Sequence, residues 1–180
     1  GDPENVKWIY TGAGAWYMIG ELEVVDGRIC YIPDSNTRYP LEFGNDSYAG
    51  VTFKNAPGGR VVMIGWMNTW SYAESIPTSP WNGTLTLCYE LTLKSTSKGL
   101  RIFMNPVEEY NSLRGTPLID VKDAIIKENG ENILEGCRGD QYELIAHLDP
   151  DESVTEVGFR LFKGNNYEML VKYNPKTKLL

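Results

Sequence analysis

The stretch that decides the fold runs Asn45-Asp46-Ser47-Tyr48-Ala49-Gly50-Val51-Thr52-Phe53, then Gly59-Arg60, then Ile64-Gly65-Trp66-Met67-Asn68-Thr69-Trp70. It continues through Ile76-Pro77-Thr78-Ser79-Pro80-Trp81-Asn82-Gly83 and ends in Leu87-Cys88-Tyr89-Glu90-Leu91-Thr92-Leu93. Short runs of β-branched and aromatic residues alternate with Gly and Pro, which is the pattern of strands separated by tight turns. A strand that ends in Gly-Trp-Met-Asn and enters an aromatic, Pro-rich loop suggests a surface that stacks flat ligand faces. Sugar rings are the commonest such ligand, an indole covering their C–H face while Asn or Asp fixes the hydroxyls. The alternative is that these tryptophans pack core and loop.

The same texture extends outward. Before position 106, strands are expected at 6–10, 16–24, 28–32, 48–54, 60–67, 84–94 and 100–105; after it, at 124–127, 142–149, 156–163 and 168–173. Turn signals separate them at Asp26-Gly27, Pro57-Gly58-Gly59, Asn82-Gly83, Lys98-Gly99 and Gly164-Asn165. Only 107–113, just after Pro106, reads as a short helical turn. No stretch of ten or more residues holds a 3.6 period, so the class is all-β. The texture changes across Pro106–Pro117: all five tryptophans precede it, whereas Val157–Lys163 alternates like a sheet packed on one face. No internal repeat stands out, although the strand–turn–strand units of the first half have the form expected of propeller blades.

Composition narrows the function. Seventeen basic against twenty-four acidic residues give a net charge of −7 over 180 residues, which argues against nucleic acid and against a basic membrane-binding face. The apolar run Val61–Met67 is far short of the roughly 18 residues a spanning helix needs, and no signal-peptide pattern precedes Trp8. Cys30, Cys88 and Cys137 are three and widely spaced, the pattern of buried thiols rather than of a disulfide framework or a metal knuckle. A single histidine, His147, excludes any zinc site of two or three histidines. It lies in an alternating stretch whose apolar face is Tyr142, Leu144, Ala146 and Leu148, which makes it an exposed strand histidine rather than a catalytic base. Glu108 and Glu109 are adjacent on a helical turn, point about 100° apart and read as a solvated face.

Asp46-x-Tyr48-Ala49 followed by Ile64-Gly65-Trp66-Met67-Asn68-x-Trp70, Ile76-Pro77-Thr78-Ser79-Pro80-Trp81 and Glu90-Leu91-x-Leu93 resembles glycoside hydrolase family 32, the invertases, levanases and inulinases. Asn105-Pro106-Val107-Glu108-Glu109, Ser112-Leu113-Arg114, Gly158-Phe159-Arg160-Leu161 and Leu170–Pro175 resemble that family's passage into its second domain. The resemblance implies a five-bladed β-propeller joined to a β-sandwich. It also implies hydrolysis of β-fructofuranosidic bonds with retention, by two carboxylates about 5 Å apart and without a cofactor. A further aspartate stabilises the charge that develops at the fructosyl centre.

The motifs that carry the family's three acids, Trp-Met-Asn-Asp-Pro-Asn-Gly-like, Arg-Asp-Pro and Glu-Cys-Pro-like, do not occur in this sequence. The expected correspondence is therefore the last blades of the propeller (1–106) followed by part of the sandwich (107–180), with no catalytic residue and no metal site. By the resemblance, Trp66 stacks on a fructosyl ring while Asp46 and Tyr48 line the far wall of the pocket. The chain is expected to be inactive on its own; the alternative is a non-catalytic carbohydrate-binding or structural β-protein. Unpaired strand edges would favour a homo-oligomer or strand-swapped dimer. Family analogy places such proteins outside the cell or in the periplasm, but the sequence leaves the location unknown. The sequence departs from the family at Val51, where an amide is usual, and at Asn82, where an arginine is common.

Overall fold

The computed structural model describes residues 14–178 and 180; the strand expected at 6–10, with Trp8, lies outside them. The chain divides into two compact units, Asp2–Tyr110 and Asn111–Leu180. Among the described residues every regular element is a strand or a short 3-10 turn, so the protein is all-β as its sequence patterning requires.

In the first unit the strands are β1 (Trp16–Tyr17), β2 (Gly20–Val25), β3 (Arg28–Pro33), β4 (Tyr39–Pro40), β5 (Tyr48–Thr52), β6 (Val62–Trp66), β7 (Tyr89–Thr96) and β8 (Gly99–Pro106). The last four form an antiparallel sheet in sequential order, β5-β6-β7-β8. A four-stranded meander is the form of one propeller blade, and the partial propeller is present in that form. Its turns follow from local chemistry. Gly99, at φ 87°, closes the β7–β8 hairpin, with Thr96 Oγ1 donating to its carbonyl at 2.7 Å. Asp26 and Gly27 both take positive φ, 51° and 75°, the Asp-Gly turn that joins β2 to β3.

Two expected strands are divided where their pairing is interrupted. Residues 16–24 break after Tyr17: β1 pairs with the unforeseen β4, whereas β2 pairs with β3 from Gly20 onward. Residues 84–94 keep β6 as their partner but slip register: Leu85 bridges Trp66 and the ladder resumes with Tyr89 opposite Met63, four steps against three.

Part of the core of this unit lies on β6, one of the two inner strands of the sheet. Met63 is buried there, between Thr52 of β5 and Tyr89 of β7. Arg60, just before β6, ties the sheet together. Its Nε donates to Glu90 on β7 at 2.9 Å, and its two terminal nitrogens donate to both oxygens of Glu109 at 2.6 and 3.0 Å. Glu109 belongs to the 3-10 turn Glu108–Leu113 that follows β8, so the expected solvated glutamate is half of a forked ion pair. The guanidinium holds the Glu109 carboxyl down at about 2. That support is complete above the ordinary carboxylate range and fades as pH falls towards 2, weakened throughout by the exposure of Glu109.

The second unit contains one antiparallel hairpin, β9 (Val157–Leu161) with β10 (Met169–Tyr173). Both strands lie inside the ranges expected. Residues 124–127 and 142–149 are not strands, contrary to expectation. Alternation makes a segment able to pair, but a ladder also needs a neighbour, and among the described residues neither segment has one. Side chains hold the second segment instead: Tyr142 stacks on Phe162 at 5.2 Å, and the Glu143 carboxylate accepts hydrogen bonds from Nε and one terminal nitrogen of Arg114. His147 is exposed as expected, but on irregular backbone.

Candidate functional site

The site grows from the end of β6. Tyr48 faces Trp66 across the sheet because β5 is bulged: Tyr48 pairs with Trp66 and Val51 with Ile64, three steps on one strand against two on the other. Ala49, at φ 51°, marks where the extra residue is absorbed. On its other side Trp66 bridges Leu85, flanked by hydrogen bonds from Met67 N to Thr84 O and from Thr86 N to Gly65 O, both 2.9 Å. Thr86 Oγ1 accepts the Gly65 N–H at 3.0 Å. The Trp66 backbone is thus fixed from both sides.

Its ring is equally surrounded. Tyr48 lies edge-on at 6.5 Å and 60°, and Trp70 lies at 4.9 Å and 59°. Trp66 is half-buried, whereas Trp70 and Trp81 are 71% and 62% exposed. Trp66 is therefore the anchor of an aromatic cluster, and Trp70 and Trp81 offer the more open indole faces.

Beyond Trp66 the chain turns inward at Asn68 and Thr69, each 1% exposed. Asn68 Oδ1 accepts the Thr69 N–H at 2.8 Å, while Asn68 Nδ2 and Thr69 Oγ1 have no hydrogen-bond partner. Three residues later the Tyr72 hydroxyl donates to the Asp46 carboxylate. That bond, then burial and the carboxylate's charge, raise the Tyr72 phenol above its ordinary range.

Asp46 also helps line a cavity of about 480 Å³, together with Glu42, Asn45, Met67, Thr78, Gly83, Thr84, Thr86 and Tyr89. Burial first, then the charge of Glu42, pushes the Tyr89 phenol up. Carboxylates, hydroxyls and an amide around one space, with Met67 and Ile76 as the apolar component, match the mixed surface of a polyol. Of the residues expected to meet a ligand, Asp46 lines the cavity; Trp66 and Tyr48 form the adjoining cluster and are not among its lining residues. Gly83 joins the two, since a β-carbon placed on it would stand 3.3 Å from Trp66 Nε1. Glu42 and Tyr72 carry no motif in the sequence, and Thr78 and Tyr89 stand within quoted stretches without a ligand role. Among the described residues no group of three or more His, Cys, Asp or Glu could hold a metal ion, and no helix is long and apolar enough to cross a membrane.

Comparison with known proteins identifies the family of the chain. The family model of the glycosyl hydrolases family 32 N-terminal domain matches residues 3–106, and the chain belongs to that family. Relatives include a levanase of Bacillus sp. (strain L7), 35% identical over 90% of this chain and 18% of its own length. A levanase of Bacillus subtilis is 31% identical over 100% and 28%, and a fructan beta-fructosidase of Streptococcus mutans is 31% identical over 97% and 13%. The chain thus spans less than a third of the length of these relatives. Among solved structures, exo-inulinase from Aspergillus awamori is 31% identical over 55% of this chain and 20% of its own, with a TM-score of 0.45.

Proposed function

We propose that this chain is a non-hydrolysing, fructose-binding segment of a fructan-degrading glycosyl hydrolase, residues 1–106 contributing propeller blades and 107–180 part of the β-sandwich. The observation that carries the reading is the Tyr48–Trp66–Trp70 cluster set beside a cavity lined by Asp46 and Glu42. Relatives named as levanases and a fructan beta-fructosidase point to fructose-containing carbohydrate as the ligand class. In this reading Trp66 anchors the indole surface against a fructosyl ring, while Asp46 and Tyr48 orient its hydroxyls.

Hydrolysis needs a paired nucleophile and general acid, and the family motifs that supply them do not occur in these 180 residues. The purified chain is therefore expected to release no fructose from sucrose, inulin or levan. Fructose release abolished by replacing one carboxylate of this chain would overturn the proposal.

Self-association accompanies this reading. Leu22 and Tyr31, and Val24 and Ile29, are cross-strand pairs on one face of the β2–β3 hairpin, and all four are exposed. A face of this kind calls for a partner, and a second copy of the chain is proposed. Elution volume and small-angle scattering should report a dimer or larger; a compact monomer would count against it.

A further inference from the structure

Two stretches distant in sequence line the cavity beside the aromatic cluster. Glu42, Asn45 and Asp46 come from the segment between β4 and β5, whereas Met67, Ile76 and Thr78 come from the segment that leaves β6. The Tyr72 hydroxyl joins these segments by donating to the Asp46 carboxylate. Tyr72 is not among the lining residues, so whatever it contributes to a ligand passes through Asp46. Its backbone is fixed on both sides. Thr69, 1% exposed, accepts the Tyr72 N–H at 3.3 Å. The Tyr72 carbonyl accepts the Ser75 N–H at 2.9 Å, at the start of the 3-10 turn Ala73–Ser75, in which Ala73 is buried.

Asp46, by contrast, is exposed and on irregular backbone, where a side chain keeps its rotamer freedom unless a partner holds it. An ionised carboxylate only accepts hydrogen bonds. With Oδ1 committed to Tyr72, Oδ2 is left to accept from a ligand. We propose that Tyr72 is a positioning residue for sugar binding: its hydroxyl holds one oxygen of Asp46 so that the other meets a donating hydroxyl of the ligand. A hydrogen bond to a charged acceptor is stronger than a neutral one, and the phenol must keep its proton to make it. The bond to Asp46, then burial and the carboxylate's charge, raise that phenol above its ordinary range. The clasp therefore persists through neutral pH and opens when Tyr72 ionises, which sets a phenolate against a carboxylate. The other titratable groups around it are Glu42 and Tyr89, which line the cavity with Asp46, and Glu74 in the turn that Tyr72 precedes.

This inference rests on the sugar-binding reading and adds the residue that acts behind Asp46. The test is calorimetric titration of the 180-residue chain with fructose. Tyr72→Phe, which keeps the ring and loses the donor, should weaken binding roughly tenfold. Asp46→Ala should weaken it at least as much. The double variant should bind no more weakly than Asp46→Ala alone, because Tyr72 then has nothing left to position. The affinity of the wild type should also fall as pH rises above the ordinary tyrosine range of about 10. That fall should be smaller in Tyr72→Phe, which keeps Tyr89, whereas a merely structural tyrosine would leave the pH profile unmoved. No binding of fructose by the wild type would overturn the sugar reading and the positioning role together. Fructose binding unchanged by Tyr72→Phe, losses that multiply in the double variant, or an equal alkaline fall in Tyr72→Phe would overturn the positioning role alone.

Discussion

Met63→Ala is expected to lower the stability of the first unit by about 2–5 kcal/mol, the range for removing a long apolar side chain from a core. Met63 is 6% exposed on an inner strand of the sheet, with partners on both sides. The structure has little with which to refill the space, since the residue beneath the thioether is Gly50, where a β-carbon would stand 2.9 Å from Met63 Sδ. Met63→Leu, which keeps most of the volume, should cost less than about 1.5 kcal/mol. Urea unfolding followed by circular dichroism checks both. Equal midpoints for wild type and Met63→Ala would show that the core lies elsewhere.

Trp66→Ala has the largest expected effect on ligand binding, a loss of about 2–4 kcal/mol, comparable with an interfacial hot spot. The indole is the common neighbour of Tyr48 and Trp70. Removing it withdraws the anchor on which the open face of Trp70 depends, besides any contact Trp66 makes itself. Trp70→Ala should weaken binding less and leave the fold unchanged, since Trp70 is largely exposed. Equal affinity of Trp66→Ala and wild type for a fructo-oligosaccharide would place the ligand away from this cluster.

Much of this arrangement is legible in the sequence because it depends on local chemistry. Asp26-Gly27 and Lys98-Gly99 announce hairpins through the positive φ they permit, and the β-branched runs around them become β2, β3, β7 and β8. The failures have one cause, namely pairing with a distant partner. Nothing local to residues 16–24 indicates that Trp16 and Tyr17 pair with Pro40 and Tyr39, and nothing in the alternation of 142–149 indicates that it joins no ladder among the described residues. The site divides in the same way. Trp66, Tyr48 and Asp46 stand out through their motif, whereas the Tyr72–Asp46 bond and the approach of Asn68 to Gly83 depend on how loops return to the sheet. Gly83 itself reads as a turn residue; its closeness to two donors emerges only in three dimensions.

The most direct test of the account is titration of the purified wild-type chain with a fructo-oligosaccharide, followed by heat and by tryptophan fluorescence together. The account predicts a saturable isotherm and a parallel change in fluorescence from the Trp66–Trp70 cluster. A flat isotherm with unchanged fluorescence at millimolar sugar would contradict it.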